Sequence, residues 1–273
     1  MKIEAPSIEL PAWLETPPGR YLLAWEQAQM DAAVADLFGF HALQLGWPAL
    51  QGLRTNRMQH RWLALAQPSH GAPPPPSAPA VLSTPPSALA PVSIALHCEF
   101  DALPFESNSL DLVVLPHALE LSHDPHQTLR EVERVLRPEG RVVILGLNPV
   151  SLWGLRQNLG RLTLGQPHSF LPLAGDAIGY WRLRDWLRLL NLEVEGARFG
   201  CYSPPLRSDA WLQRWAWVEG VGGRWWPVLG AAYFIVAVKR VRGMRLLGLA
   251  RSHKTKAKTA PVIALHQQTR KDQ

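Results

Sequence analysis

The chain has 273 residues, 47% of them hydrophobic, which is enough for the core of one α/β domain or at most two small ones. Its two cysteines, Cys98 and Cys201, exclude a disulfide scaffold and favour a reducing, cytoplasmic compartment. The acidic, proline-broken first 18 residues argue against a secretory signal, and the apolar run 225–238 contains Pro227 and is too short to span a membrane.

Positive charge is concentrated at the C-terminal end. The whole chain carries a net charge of +6, yet residues 239–273 contain ten Lys or Arg side chains and one acid, Asp272. The remaining residues therefore carry a net negative charge. We expect residues 242–273 to form a basic, disordered tail. A solvated extension is the interpretation we favour, with contact to RNA or to an anionic membrane as alternatives, and no DNA-binding motif accompanies the charge.

The first elements follow a short N-terminal extension, residues 1–18. Residues 19–38 are predicted to form a helix that ends at Gly39, and 41–45 and 62–65 are predicted strands. Residues 50–57 carry a weak helix signal between these strands. The apolar stripe expected on the first helix consists of Leu22, Trp25, Ala28, Ala32 and Ala35.

A proline-rich insert interrupts this pattern. Residues 68–91 hold nine of the 25 prolines, and Ala and Ser fill most of the other positions. Such a stretch cannot pack a core, so we expect a disordered, polyproline-like spacer.

The second half alternates strands and helices. The predicted strands are 92–97, 110–115, 141–145, 192–199 and 233–238, and the predicted helices start at Pro125, with Asp124 as N-cap, and at Trp181. This order predicts a mostly parallel sheet with helices on both faces. Ligands of such sheets bind beyond the carboxyl ends of the strands, here residues 46–50, 99–101, 115–117 and 146–148.

Five segments in this half resemble one known family. They are Glu99–Phe105, Ser109–Val114, His117–Glu120, Asp124-Pro125 and Leu129–Arg141. Together they are similar to the small-molecule type of class I S-adenosylmethionine-dependent methyltransferase (methyltransferase domain 11-like). The resemblance implies a Rossmann-like fold over residues 19–241, with a seven-stranded, mostly parallel sheet and an antiparallel last strand.

The resemblance also implies site residues. Glu99 would accept a hydrogen bond from the adenine amino group of S-adenosylmethionine, and Asp101 is a second candidate. Leu115 and Pro116 would line the methyl-transfer cleft. His117 is a candidate general base, because its ordinary pKa lies near neutral pH, but a structural histidine at a strand end explains it as well. Solvated loop acids are the alternative for Glu99 and Asp101.

The first strand and its loop depart from the family pattern. Of the glycines expected there only Gly46 is present, followed by Trp47, while Pro48 and Leu50 stand at the other two glycine positions. Gln44 replaces the carboxylate of the first strand, and no Asp or Glu occurs between Asp36 and Glu99. We expect Gln44, Gly46 and Trp47 to contact the cofactor through a modified loop.

Two hypotheses follow from this mixed pattern. The first is an enzyme (EC 2.1.1.-) that transfers a methyl group from S-adenosylmethionine to a small molecule. The alternative is a catalytically inactive methyltransferase-like binding protein that uses its basic tail for RNA or membrane contact.

Three remaining predictions concern side chains outside this loop. Asp111 is interpreted as a structural cap or turn acceptor. Phe170, Tyr180 and Trp181 line an aromatic substrate pocket or pack in the core. The Trp-rich stretch 211–226 is expected to cover a sheet edge, with an apolar patch for a partner or membrane as the alternative.

Overall fold

The structure, a computed structural model, describes residues 13–66, 94–163, 171, 177–205, 208–215 and 217–240. The chain divides into a unit over Met1–Val241 and a second unit over Arg242–Gln273. The proline-rich segment 68–91, Phe170 and the basic tail 242–273 lie outside the described residues, so the predictions made for them remain predictions.

Seven strands form one sheet in the order β3-β2-β1-β4-β5-β7-β6. β7 runs antiparallel to both of its neighbours, whereas the pairs among β1 to β5 are parallel. This topology confirms the predicted fold class. The strands are β1 His41–Leu45, β2 His60–Ala66, β3 Ile94–Cys98, β4 Leu110–Pro116, β5 Leu136–Leu147, β6 Leu192–Gly200 and β7 Ala232–Lys239.

Helices precede, connect and flank the strands. α1 precedes β1, α2 and α3 connect β4 to β5, α4 and α5 lie between β5 and β6, and α6 and α7 lie between β6 and β7. A short 3-10 helix, Pro227–Leu229, leads into β7. The helices are α1 Pro17–Val34, α2 Ala118–Leu121, α3 Pro125–Val135, α4 Leu152–Thr163, α5 Tyr180–Leu189, α6 Asp209–Arg214 and α7 Trp217–Trp225.

The buried face of α1 differs from the predicted stripe. Leu22, Glu26, Met30 and Val34 are buried, at a spacing of four residues. The predicted stripe shares only Leu22 with this face, since Trp25 is half-buried and Ala28 and Ala32 are exposed, so the predicted face was wrong. The cause is Glu26, a carboxylate that interrupts the apolar pattern although it lies on the buried face.

The helix predicted over residues 50–57 is also absent. The chain makes turns there, with i to i+3 bonds from Arg54 N–H to the Gln51 carbonyl and from Asn56 N–H to the Leu53 carbonyl, but no α-helix. The side chain of Gln44 donates to the carbonyl of Leu50 and accepts from the N–H of Gly52, and these bonds stabilise a turn instead.

The segment from β4 to β5 follows its local sequence signals. The Asp124 side chain accepts from the N–H groups of His126 and Gln127 at the start of α3. Asp111 at the start of β4 accepts from the N–H groups of Phe40 and His41 and pairs with Arg137. Its geometry agrees with the structural interpretation of Asp111.

Three apolar clusters form the core. One cluster lies on the sheet face covered by α3 and α5, and a second lies on the face covered by α1. The third, which includes Trp13, Trp47 and Trp153, joins residues that follow the carboxyl ends of β1 and β5 to the segment before α1. No helix in the described ranges is long and apolar enough to cross a membrane.

Candidate functional site

A cavity of about 220 Å³ opens at the carboxyl ends of β1 and β2. The ends of parallel strands are where ligands bind in sheets of this type. The walls are apolar, so the space suits a flat or aliphatic group more than a charged one. The lining includes Leu14, Gly46, Trp47, Leu65, Phe100 and Leu121.

The loop after β1 is organised by the buried side chain of Gln44. Its Nε2 group donates to the carbonyl oxygens of Trp47 and Leu50, at 3.1 and 2.7 Å, and its Oε1 atom accepts from the N–H of Gly52 at 2.9 Å. A carboxylate could not donate these bonds. The structure therefore turns Gln44 toward the loop backbone, whereas Gly46 and Trp47 face the cavity.

Gly46 and Trp47 both have a positive φ, 71° and 30°. Glycine adopts this conformation without a steric cost, whereas the Cβ of tryptophan makes it unfavourable. A Cβ at Gly46 would lie 3.4 Å from the Phe100 ring, so the glycine leaves room for this ring at the cavity. The Trp47 indole is buried, and its Nε1 atom has no hydrogen-bond partner among the described residues.

Three charged side chains meet in full burial beneath Trp47. The Trp47 ring packs edge-on against His117, with the ring centroids 4.3 Å apart. The Nε2 atom of His117 lies 2.8 Å from Glu26 Oε1, and its Nδ1 atom lies 2.7 Å from Glu120 Oε2. Glu120 Oε1 also accepts from the N–H of Leu147, whereas Glu26 Oε2 has no partner in the described part of the chain.

This buried cluster, Glu26–His117–Glu120, sets the charge of the histidine. Burial lowers the pKa of His117, but the charges of Glu26 and Glu120 and their hydrogen bonds together raise it to about 10. At neutral pH the imidazole is therefore protonated and donates to both carboxylates. In this arrangement neither ring nitrogen has a free lone pair to take a proton from a substrate.

The other expected site residues occupy three different settings. Glu99 and Asp101 flank the buried Phe100, and Glu99 is exposed while Asp101 is partly exposed. Leu115 and Pro116 are buried at the end of β4, and Leu115 belongs to the core under α3. The cavity itself is lined by Phe100 and not by these four side chains.

The sequence reasoning missed Glu26, Glu120 and Phe100. The spacing of Glu26 four residues after Leu22 and four before Met30 could have placed it on the buried face of α1. Glu120 stands three residues after His117, the spacing at which side chains of one helical turn meet. Nothing in the sequence joins Glu26 to His117, because 91 positions separate them.

The aromatic residues proposed for a substrate pocket divide into two groups. Tyr180 packs against Phe199 and Tyr233, so it belongs to the core. Trp181 is exposed on α5. The two rings contact each other edge-on, with their centroids 5.1 Å apart, but neither lines the cavity after β1 and β2.

Comparisons with known proteins agree with the topology. The methyltransferase domain family (Methyltransf_11) matches residues 81–144. The Escherichia coli K12 protein YafS, described as uncharacterized, is 33% identical over 172 residues, which cover 63% of this chain and 65% of YafS. The chain thus spans less than two thirds of that relative.

Solved structures share the fold at low identity. One is a chain from the complex of the Haloferax volcanii Trm112 methyltransferase activator with its methyltransferase, with 18% identity, a TM-score of 0.53 and coverage of 86% of this chain and 97% of that one. A SAM-dependent methyltransferase from Archaeoglobus fulgidus has 14% identity, a TM-score of 0.50 and coverage of 80% and 94%.

The strand order with its antiparallel β7 defines a Rossmann-like methyltransferase fold. The domain match over residues 81–144 and the shared fold make this chain similar to class I S-adenosylmethionine-dependent methyltransferases.

Proposed function

We propose that the chain binds S-adenosylmethionine in the cavity after β1 and β2 and transfers the methyl group to a small molecule. The observation that carries this proposal is the position of the cavity, at the carboxyl ends of the strands and against Gly46 and Phe100. The family's topological site lies at the same edge.

The residues at the cavity fit the adenosyl part of the cofactor. Leu65, Ala66 and Phe100 offer an apolar slot for a purine ring. Glu99 and Asp101 lie on either side of Phe100 at the surface, within one residue of the slot. We assign Glu99 to the adenine amino group and Asp101 to a second polar contact.

We assign Glu26 to the amino-acid part of S-adenosylmethionine. With His117 protonated, the Glu26–His117–Glu120 cluster carries one uncompensated negative charge, and Glu26 Oε2 lacks a partner among the described residues. Buried charges require a partner of opposite sign. An ammonium group would supply it, reached beside the Trp47 ring that separates the cluster from the cavity.

When bound, S-adenosylmethionine supplies an electrophilic methyl group on a sulfonium. Direct displacement of that group requires alignment and exclusion of water more than proton transfer. We therefore give His117 a positioning role, because it fixes Glu26 and Glu120 at the end of β4. Leu115 and Pro116 support the same strand end from within the sheet.

Calorimetric titration of the full chain with S-adenosylmethionine and S-adenosylhomocysteine tests the proposal. We expect saturable binding of both, and no binding of either at millimolar concentration would refute it. Glu99→Ala should weaken binding by about tenfold, since one lost charge-assisted hydrogen bond is worth roughly 1.5 kcal/mol. Glu106→Ala, another exposed acid of the same loop, is the matched control and should bind as the wild type does.

The role of Glu26 has a separate test. 5′-Methylthioadenosine has the adenosyl part but lacks the ammonium group. Glu26→Gln should weaken S-adenosylhomocysteine binding by about tenfold and leave 5′-methylthioadenosine binding unchanged, since it removes one charge-assisted contact. Equal weakening of both ligands would point to a collapsed cavity and remove Glu26 from the site.

The loop after β1 favours a second candidate function, an inactive methyltransferase-like binding protein. Pro48 and Leu50 stand where the family pattern has glycines, and Gln44 is fully used by the loop backbone. If neither cofactor form binds in the titration, this second function becomes the favoured one, with RNA or membrane contact through the basic tail as its expected activity.

A further inference from the structure

Four tryptophans between β6 and β7 have 51–71% of their surface exposed: Trp211, Trp217, Trp225 and Trp226. A soluble protein rarely leaves this much aromatic surface uncovered without a use for it. Packing against a sheet edge, the interpretation favoured from the sequence, does not account for these four rings. We call these four rings, together with Leu152, Leu155 and Leu159 of α4, the Trp–Leu surface.

The outward direction of the two α7 rings, Trp217 and Trp225, is fixed by contacts on the inner side of α7. The Glu219 carboxylate accepts from the Tyr21 hydroxyl and from the N–H groups of Cys201 and Tyr202. A Cβ at Gly222 would lie 2.4 Å from the Tyr202 ring, so α7 packs closely on this segment. The helix cannot turn its tryptophans inward without losing these contacts.

The Trp–Leu surface lies at the same sheet edge as the cavity. β6 ends at Gly200 and β7 begins at Ala232, and these two residues pair beside the carboxyl end of β5. α4 starts from that end as well, and it leaves Leu152, Leu155 and Leu159 half exposed along one face. Both α4 and α7 flank residues 202–205, through the Trp153–Ser203 hydrogen bond and the Gly222–Tyr202 contact.

The charges on this surface identify the partner. Arg214 stacks over the Trp211 ring at 5.6 Å, and Arg224 is exposed beside Trp225. The acid of α7, Glu219, points inward, and the other acid of the segment, Asp209, begins α6. Tryptophan with arginine is the combination that lipid–water interfaces favour, whereas a second copy docked on this surface would bring the arginines of both copies into one interface.

We propose that the Trp–Leu surface adsorbs to an anionic phospholipid membrane, with its rings at the headgroup level. Aromatic insertion and the basic charge of Arg214 and Arg224 together supply the two signals that stable peripheral binding needs. Adsorption at this edge would present the cavity to the lipid surface. The proposal is independent of whether the cavity binds S-adenosylmethionine.

Co-sedimentation of the full chain with vesicles tests it. We expect binding to phosphatidylcholine vesicles that contain phosphatidylglycerol, and much weaker binding to pure phosphatidylcholine. The variant Trp217→Ser/Trp225→Ser/Trp226→Ser should lose about tenfold or more in affinity, because each buried aromatic ring contributes apolar area. Brominated lipids should quench tryptophan emission in the wild type and lose this effect in the variant.

Phe38→Ser/Phe40→Ser is the matched control, because these equally exposed aromatic residues precede β1 at the opposite sheet edge. It should bind as the wild type does, and unchanged urea midpoints will show that both variants are folded. The proposal is overturned if the wild type does not bind, if it binds pure phosphatidylcholine equally well, or if the tryptophan variant keeps full affinity. Self-association that the tryptophan variant abolishes, without vesicle binding, would assign the surface to a second copy instead.

Discussion

Residues 110–147 and residues 41–66 are neighbouring parts of one sheet, yet different contacts hold them. The first part, β4–α3–β5, uses apolar strands, an N-cap at Asp124 and a helix whose apolar side packs on the sheet. The second part, β1–β2 with its loop, depends on the buried Gln44 amide, and its Trp47 ring packs on the Glu26–His117–Glu120 cluster, which joins α1 to the end of β4. The half from β4 to β5 therefore keeps the local sequence pattern of the family, whereas the ligand-facing half departs from it. We call β1, β2, their loop and the Glu26–His117–Glu120 cluster the rebuilt half.

Removing His117 should have the largest effect. His117→Ala leaves the Glu26 and Glu120 carboxylates buried without their cation, and breaking such a buried arrangement costs about 3–5 kcal/mol of unfolding free energy. Urea unfolding at pH 7 measures it. His123→Ala, an exposed histidine of the same segment, should stay within about 0.5 kcal/mol of the wild type. A loss no larger than that for His117→Ala would mean that the cluster does not stabilise the rebuilt half.

The stabilisation by His117 should also depend on pH. The pKa of this histidine is raised in the folded state, to about 10, above its ordinary value of 6.5. Its contribution is therefore fully present below pH 6.5 and is lost as the pH rises through about 10. The stability gap between the wild type and His117→Gln should narrow over this range in urea titrations at several pH values. A gap that is constant from pH 6 to pH 10 would show that the ring is neutral in the folded protein.

Restoring the family's acid at position 44 should harm the rebuilt half. Gln44→Glu removes the N–H donors that reach the carbonyl oxygens of Trp47 and Leu50 and places a carboxylate there. We expect a loss of about 2–4 kcal/mol in urea unfolding, because the second carboxylate oxygen would be buried against two carbonyl oxygens. Gln51→Glu, the same change at an exposed side chain of the loop, should be nearly neutral. If Gln44→Glu instead kept stability and tightened S-adenosylmethionine binding, the loop would be of the ordinary family type.

The same division explains what the sequence could predict. The bounds of β1 agree with the structure, β4 and β6 are longer by one residue at one end, and β7 is longer by one residue at both ends, because the alternation of apolar runs and turns is a local signal. α3 began at Pro125 as expected, since Asp124 and Pro125 are adjacent cap residues.

The rebuilt half was beyond such signals. Glu26 looks like a surface carboxylate until His117 is known to lie against it, and the two are far apart in the chain. Gln44 was expected to contact a ligand, and only the path of the loop shows that its amide is used by the backbone. Phe100 is one apolar residue among many until the cavity places it beside Gly46.

Asp111 joins the two halves, and its removal should give the smallest of these effects. Its Oδ2 atom accepts from the N–H groups of Phe40 and His41 at the start of β1, and its Oδ1 atom pairs with Arg137 at the start of β5. Asp111→Ala should cost about 1–2 kcal/mol in urea unfolding, since the two N–H groups lie near solvent and regain part of their bonding from water. Asp36→Ala, an exposed acid in the turn after α1, is the control. Hydrogen exchange of the same variant gives a second measurement. Faster exchange in β1, with β4 and β5 still protected, would show that Asp111 helps to hold the rebuilt half. Equal acceleration in all three strands would show that the two halves unfold as one unit.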